Sequence, residues 1–275
     1  MNRTGSYANG FAPRDGMPAY PSLWNGRRVS IAPCLGPTGI VMRDWSSQKA
    51  NATIVGTAVG SAWSVDSGKY AYTKAGTGGH WLAQTAMVQH NKAEETISCW
   101  VKFNNAASER TFVSIGQGAS SFGNYTILRR LSGTNTLQLA VWNGSAYTTT
   151  AISDVLFDNV WYHIAYVHSV AASRSDLYIN GVKYSGGTLY QDASTDHSYV
   201  YWGSNSNSGV TGLDGCMDDM CICGPMTDNQ IQVLASRRGI AYDMIQPIWY
   251  ADQGGFNAAW ALRQKMIIGS GGGIG

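Results

Sequence analysis

Charge is scarce in this sequence. Asp, Glu, Lys and Arg make up 13% of its 275 residues, about half the share of a typical soluble domain. The signs nearly cancel, with 19 Lys and Arg against 17 Asp and Glu, so no electrostatic footprint for nucleic acid follows. Spread over the roughly 11,600 Å² that a folded monomer of this mass exposes, so few charges suit a protein held inside an assembly. Long apolar runs are missing too. No stretch approaches the 18 or more apolar residues of a membrane helix, so neither nucleic acid nor membrane is an expected partner. The first thirty residues carry no apolar core of a secretory signal, and the expected site of synthesis is the cytoplasm. Cysteine is sparse and odd in number: Cys34, Cys99, Cys216, Cys221 and Cys223. That count describes no disulfide framework, and free thiols are expected. Cys221 and Cys223 lie two apart in an expected strand. They share one face as small buried hydrophobes, with no histidine nearby to complete a zinc set.

What is present is a core and the punctuation of a β protein. Hydrophobic residues reach 44%, aromatics 11%, and there are 33 glycines. The stretch 96–103 (TISCWVKF) alternates, with Ile97, Cys99, Val101 and Phe103 on one face and Ser98, Trp100 and Lys102 on the other. The stretch 137–142 (LQLAVW) repeats the pattern and meets Asn143-Gly144, a two-residue hairpin signal. The stretch 161–168 (WYHIAYVH) is apolar on both faces, as in a central strand. The stretch 176–179 (DLYI) runs into a second hairpin at Asn180-Gly181, and 199–203 and 219–223 continue the series. Turn signals every eight to twelve residues or so are the spacing of a sandwich. Thr227 and Gln230 form a capping box for one short helix; Arg237 and Arg238 suit its last turn and Gly239 its end.

Two flanks differ. Residues 1–22 hold three prolines and no strand pattern, and read as an extended arm. Residues 239–275 hold an aromatic stretch and a glycine-rich tail. Large aromatics sit in both flanks. Phe11, Tyr20, Trp249, Phe256 and Trp260 are expected to anchor contacts with other proteins or with a second copy.

Four stretches occur in a telling order: 96–102 (TISCWVK), 161–165 (WYHIA), 177–182 (LYINGV) and 215–222 (GCMDDMCI). They resemble the T-x-S-x-W-V-K, W-x-H-x-A, L-Y-x-N-G and G-x-x-D-[DE]-x-x-I signatures of laminin-G-like, or concanavalin A-like, jelly-roll domains. The loop 43–53, through Asp44, Ser46 and Asn51, resembles the family's D-x-S-G-x-x-N loop. The resemblance implies an all-β, two-sheet antiparallel jelly-roll sandwich over 23–238, with one short helix and N- and C-terminal extensions. Residues 22–45 and 256–269 are similar to proteins of this kind encoded by tailed bacteriophages, where the domain is part of the virion. One departure is clear. Many family members carry an acidic pair where this chain has Gly78-Gly79. A calcium ion of the family type would have to bind without those acids, and no cofactor is expected.

Catalysis finds little support. A glycosidase needs two carboxylates roughly 5–10 Å apart across the scissile bond. Glu94-Glu95 and Asp218-Asp219 are adjacent pairs whose side chains diverge in a strand. The histidines lack zincin spacing, and His163 reads as a core histidine with one satisfied nitrogen. Sugar binding has more to work with: Trp142 and Tyr147 flank a turn, and Asn205 and Asn207 lie in a polar loop after Trp202. The expected role is that of a structural virion protein, a capsid decoration or tail component acting by assembly and not an enzyme. A host-glycan-binding or receptor-binding module stands second and a glycoside hydrolase third.

Overall fold

The computed structural model describes residue 23 and residues 27–37, 39–46, 48–56, 62–74, 80–84, 93–105, 108–116, 124–142, 146–185, 199–205 and 211–240. By its internal contacts the chain divides into Gly26–Ala241 and a second unit made of Met1–Asn25 and Tyr242–Gly275. The strands and helix described below belong to the first. The flank aromatics Phe11, Tyr20, Trp249, Phe256 and Trp260 lie outside the described residues.

The strands in chain order are β1 (Arg27–Ile31), β2 (Val41–Met42), β3 (Ala52–Gly56), β4 (Trp63–Asp66), β5 (Lys69–Lys74), β6 (His80–Gln84), β7 (Glu94–Phe103) and β8 (Arg110–Gly116). They continue as β9 (Asn124–Arg130), β10 (Leu137–Trp142), β11 (Tyr147–Ile152), β12 (Trp161–Ser169), β13 (Arg174–Ile179), β14 (Val182–Ser185), β15 (Tyr199–Trp202) and β16 (Gly215–Cys223). Two antiparallel sheets result. The first runs β14-β13-β12-β7-β16-β5-β4, with β1 also pairing β16; the second runs β11-β10-β9-β8-β15-β6-β3-β2. Neighbours distant in sequence, such as β7 beside β16, make this a jelly roll and not a meander.

Alternation builds the core. Ile97, Cys99, Val101 and Phe103 of β7 point inward, as do Ile164 and Tyr166 of β12, toward Val113, Leu128, Leu139 and Trp202 of the second sheet. Phe103 and Phe112 meet edge to face at 5.9 Å between the sheets. Trp202 brings a polar atom into the core, and its indole N–H donates to Gln84 Oε1 at 2.8 Å. Gln84 in turn donates to the Ala50 carbonyl, so burying the indole leaves its N–H satisfied.

The Asn180-Gly181 hairpin forms as the sequence predicts. Both residues have positive φ, 51° and 78°, and Ile179 pairs with Val182, the two-residue turn that matches strand twist. The Asn143-Gly144 expectation is corrected. Trp142 pairs with Tyr147, so four residues connect β10 to β11, of which 143–145 lie outside the described residues. The helix α1 (Asp228–Ala235) carries the expected capping box, with Thr227 accepting from the Gln230 N–H and the Gln230 side chain bonding back. It stops earlier than expected, at a Ser236 cap, with no basic residue in its last turn. Arg238 has other partners, described below. Ile231 and Leu234 are buried, and Trp100 Nε1 donates to the Leu234 carbonyl at 3.3 Å. The outward face of β7 is therefore roofed by this helix.

Candidate functional site

Among the described residues, a group of ionisable side chains lies on the outward face of the first sheet, where β16 leaves regular geometry. Asp218 pairs with Trp100 of β7, yet the next recorded pair is Cys221 with Ser98. Three steps on one strand match two on the other, which is a β-bulge. In a regular strand Asp218 and Asp219 would face opposite ways. The extra residue, with Asp219 at φ 47°, sends Met217 and Met220 both into the core. Both aspartates are left outside it. The expectation that these carboxylates diverge is thus overturned.

A short 3-10 turn, Pro33–Leu35, brings Cys34 to them. The Cys34 N–H donates to Asp218 Oδ1 at 3.1 Å, and its sulfur lies 3.8 Å from Asp219 Oδ1. The Asp219 N–H donates to Asp218 Oδ1 at 2.9 Å, and the Gly239 N–H to Asp219 Oδ2 at 2.5 Å. Arg238 Nη1 stands 3.6 Å from Asp218 Oδ2, and its guanidinium lies 4.3 Å over the Trp161 ring. The other end of that guanidinium donates to the Asp66 carbonyl. The Asp66 carboxylate pairs with Lys102 and accepts from Trp161 Nε1 at 3.0 Å.

Burial, then the charges of Asp219 and Asp218, push the Cys34 thiol well above its ordinary range. Burial and the neighbouring Asp219 likewise raise Asp218. Burial acts the same way on Asp66, but its bonds from Lys102 and Trp161 outweigh it and hold the carboxyl down to about 2. The ligand atoms of Cys34, Asp218 and Asp219 come within 4.8 Å of one another, close enough for a metal triad. Arg238 already supplies a positive charge there, and three backbone N–H groups occupy carboxylate oxygens. The arrangement fastens three chain segments together: the turn after β1, the β16 bulge and the loop after α1. The two carboxylates sit side by side and Asp218 is fully buried, unlike a pair set across a scissile bond.

The other predicted positions fall elsewhere. Glu94 and Glu95 open β7, and Glu95 is buried. Asp44 is buried and accepts from the N–H groups of Ser30, Ser46 and Ala50 at 2.8–3.0 Å, while Asn51 Oδ1 accepts from the Asp44 N–H. The loop resembling the family's is therefore an internally tied one. Cys221 and Cys223 are buried on one face, and all five cysteines are free.

Tyr147 is 41% exposed at the start of the edge strand β11, opposite Trp142. Asn205 follows β15 and is half-buried, and its carbonyl accepts from Ser114 Oγ at 3.2 Å. Strands β10, β9 and β8 separate β11 from β15, a gap of about 19 Å at about 4.8 Å per strand. Tyr147 and Asn205 thus do not share one small site. The Trp142 side chain and Asn207 lie outside the described residues.

The Cys34–Asp218–Arg238 cluster escaped the sequence reading. One signal for it exists: Met217 and Met220 are apolar three apart in a segment otherwise of period two, which only an inserted residue reconciles.

Fold and site together define a lectin-like jelly roll. The chain belongs to the concanavalin A-like lectin/glucanases superfamily, whose family model matches residues 75–232. No curated protein matches the sequence. Among solved structures it resembles the binding domain of botulinum neurotoxin serotype D, with 12% identity and a TM-score of 0.55 over 78% of this chain and 52% of that one. It also resembles the serotype D ligand-binding domain in complex with N-acetylneuraminic acid, at 15% identity and TM-score 0.54, covering 78% and 52%. A third is a structure of botulinum neurotoxin type C, whose cell entry depends on interaction with two ganglioside molecules, at 11% identity and TM-score 0.54, covering 79% and 52%. This chain spans about half the length of those chains.

Proposed function

We propose that this chain acts by binding and not by hydrolysis, as a structural component of a bacteriophage particle on the outer capsid or the tail. The observation that carries the first half is the fate of Asp218 and Asp219. The structure sets these two carboxylates side by side, with Asp218 buried 3.6 Å from Arg238 and backbone N–H groups bonded to Asp218 Oδ1 and Asp219 Oδ2. The virion half draws on the similarity of residues 22–45 and 256–269 to phage-encoded proteins and on the thinly charged composition. In this reading the sandwich is a self-contained body. Phe11, Tyr20, Trp249, Phe256 and Trp260 in its flanks hold neighbouring virion proteins or a second copy. Burying one such side chain contributes roughly 1.5–3 kcal/mol, enough for a few anchors to offset the ordering of a flank. Antibody labelling of purified particles tests it. Label on the outer capsid or tail is expected, and particles that carry none of this chain defeat the proposal.

A second reading is binding of a host-surface glycan. Tyr147 favours it, an exposed aromatic at the start of an edge strand, and so does the sialic acid bound by one structural relative. The full chain would then bind sialylated glycans, and Tyr147→Ala would weaken binding at least about tenfold, the loss of about 1.4 kcal/mol. Equal binding by the variant, or none by the native chain, removes this reading.

A further inference from the structure

Under α1, against the outward face of the first sheet, lies a cavity of about 10 Å³ lined by Arg27, Ser98, Trp100, His163, Asp219, Cys221, Leu234 and Ile240. His163 forms part of its wall. Its backbone is satisfied, since its N–H donates to Asn180 Oδ1 at 2.9 Å and its carbonyl accepts from the Asn180 N–H at 2.7 Å. Its ring packs edge to face on Trp100 at 5.6 Å. The side chain is 1% exposed, and Nδ1 has no hydrogen-bond partner. One satisfied ring nitrogen was the expectation; this nitrogen, buried, is not. A buried polar atom left so costs about 1–3 kcal/mol, and native interiors resolve most such cases with protein groups or ordered water.

We infer that this cavity is a binding site for one water molecule, hydrogen-bonded to His163 Nδ1. Its size is that of a single water centre, for which about 10–15 Å³ is the lower bound. The lining chooses water over an ion. Arg27 offers only donors and repels a cation, Asp219 offers acceptors and repels an anion, and Ser98 does both. A molecule that donates and accepts at once fits such walls. Burial also holds the imidazole down to about 3, so the ring is neutral and meets a dipole. The water would bridge β12 to the β16 bulge beneath the helix, at a place no side chain fills.

Crystals of the full chain, at a resolution that shows ordered solvent, test this. One peak with the scattering of oxygen, about 3 Å from Nδ1, is expected. A dry cavity, a heavier ion, or a ring turned so that Nδ1 meets a protein group overturns the inference. In solution, water-to-protein cross-relaxation at the His163 ring gives an independent readout. A signal of long-lived water is expected in the native chain, and its absence there contradicts the site.

Discussion

At Gly215 the backbone has φ +152°, and a Cβ placed there would lie 1.8 Å from the Lys102 carbonyl oxygen. The leading glycine of the G-x-x-D-D run is thus fixed by the close approach of β7, and no side chain can replace it without parting the two strands. Gly215→Ala is expected to destabilise the sandwich by at least about 3 kcal/mol, read from urea unfolding; a loss under about 1 kcal/mol would show that the strands part easily. Two buried titratable residues set opposite pH dependences. His163, held down to about 3 in the fold, takes a proton in the unfolded chain below about 6.5. Its contribution is present above that pH and is lost as pH falls toward 3. Burial pushes Glu95 up to about 8, with Arg28 partly offsetting it. Its contribution is full below the unfolded value of 4.5 and is lost as pH rises toward 8. Glu95→Gln should therefore gain on the native chain by up to about 1.4 kcal/mol per pH unit between about 4.5 and 8. Parallel stability curves for the two proteins would contradict this. Gly215 was legible because its signature was; the burial of Glu95 was not, since alternation puts one of two adjacent glutamates on each face without saying that the outer face is covered.

The elements show where local sequence suffices. Alternation placed Ile97, Cys99, Val101 and Phe103 inward, and the Thr227–Gln230 box placed the start of α1, because both signals are short-range. The helix end was misjudged because Arg238 is held by long-range partners. Asp218, Trp161 and Asp66 lie 20, 77 and about 170 positions away, and no local rule weighs them against a helix dipole. The same holds for the bulge, which is written in the core packing of Met217 and Met220 and not in turn residues. Removing Arg238 leaves Asp218 buried beside Asp219 without its counter-charge. Arg238→Ala should cost about 3 kcal/mol, and adding Asp218→Asn should return part of that loss by removing the stranded charge. Additive losses in the double variant would show that the two side chains do not interact.

For the whole molecule, the sandwich and its family were legible because four signatures stand in order along one chain. The site was less so, because the glycan candidates lie on strands that only the sheet order separates. A closed jelly roll with its close carboxylates spent on structure should release no reducing ends from bacterial polysaccharides. Release that Asp218→Asn abolishes in a protein still folded would make it a hydrolase after all. If the body is self-contained and the flanks bind, the decisive measurement replaces Phe11, Tyr20, Trp249, Phe256 and Trp260 with serine in the full chain and compares incorporation into particles with that of the native chain. The expected result is an unchanged unfolding transition of the sandwich and incorporation lowered at least about tenfold, as loss of even one anchor of about 1.5 kcal/mol requires. Native-level incorporation, or a sandwich that no longer folds, would contradict it.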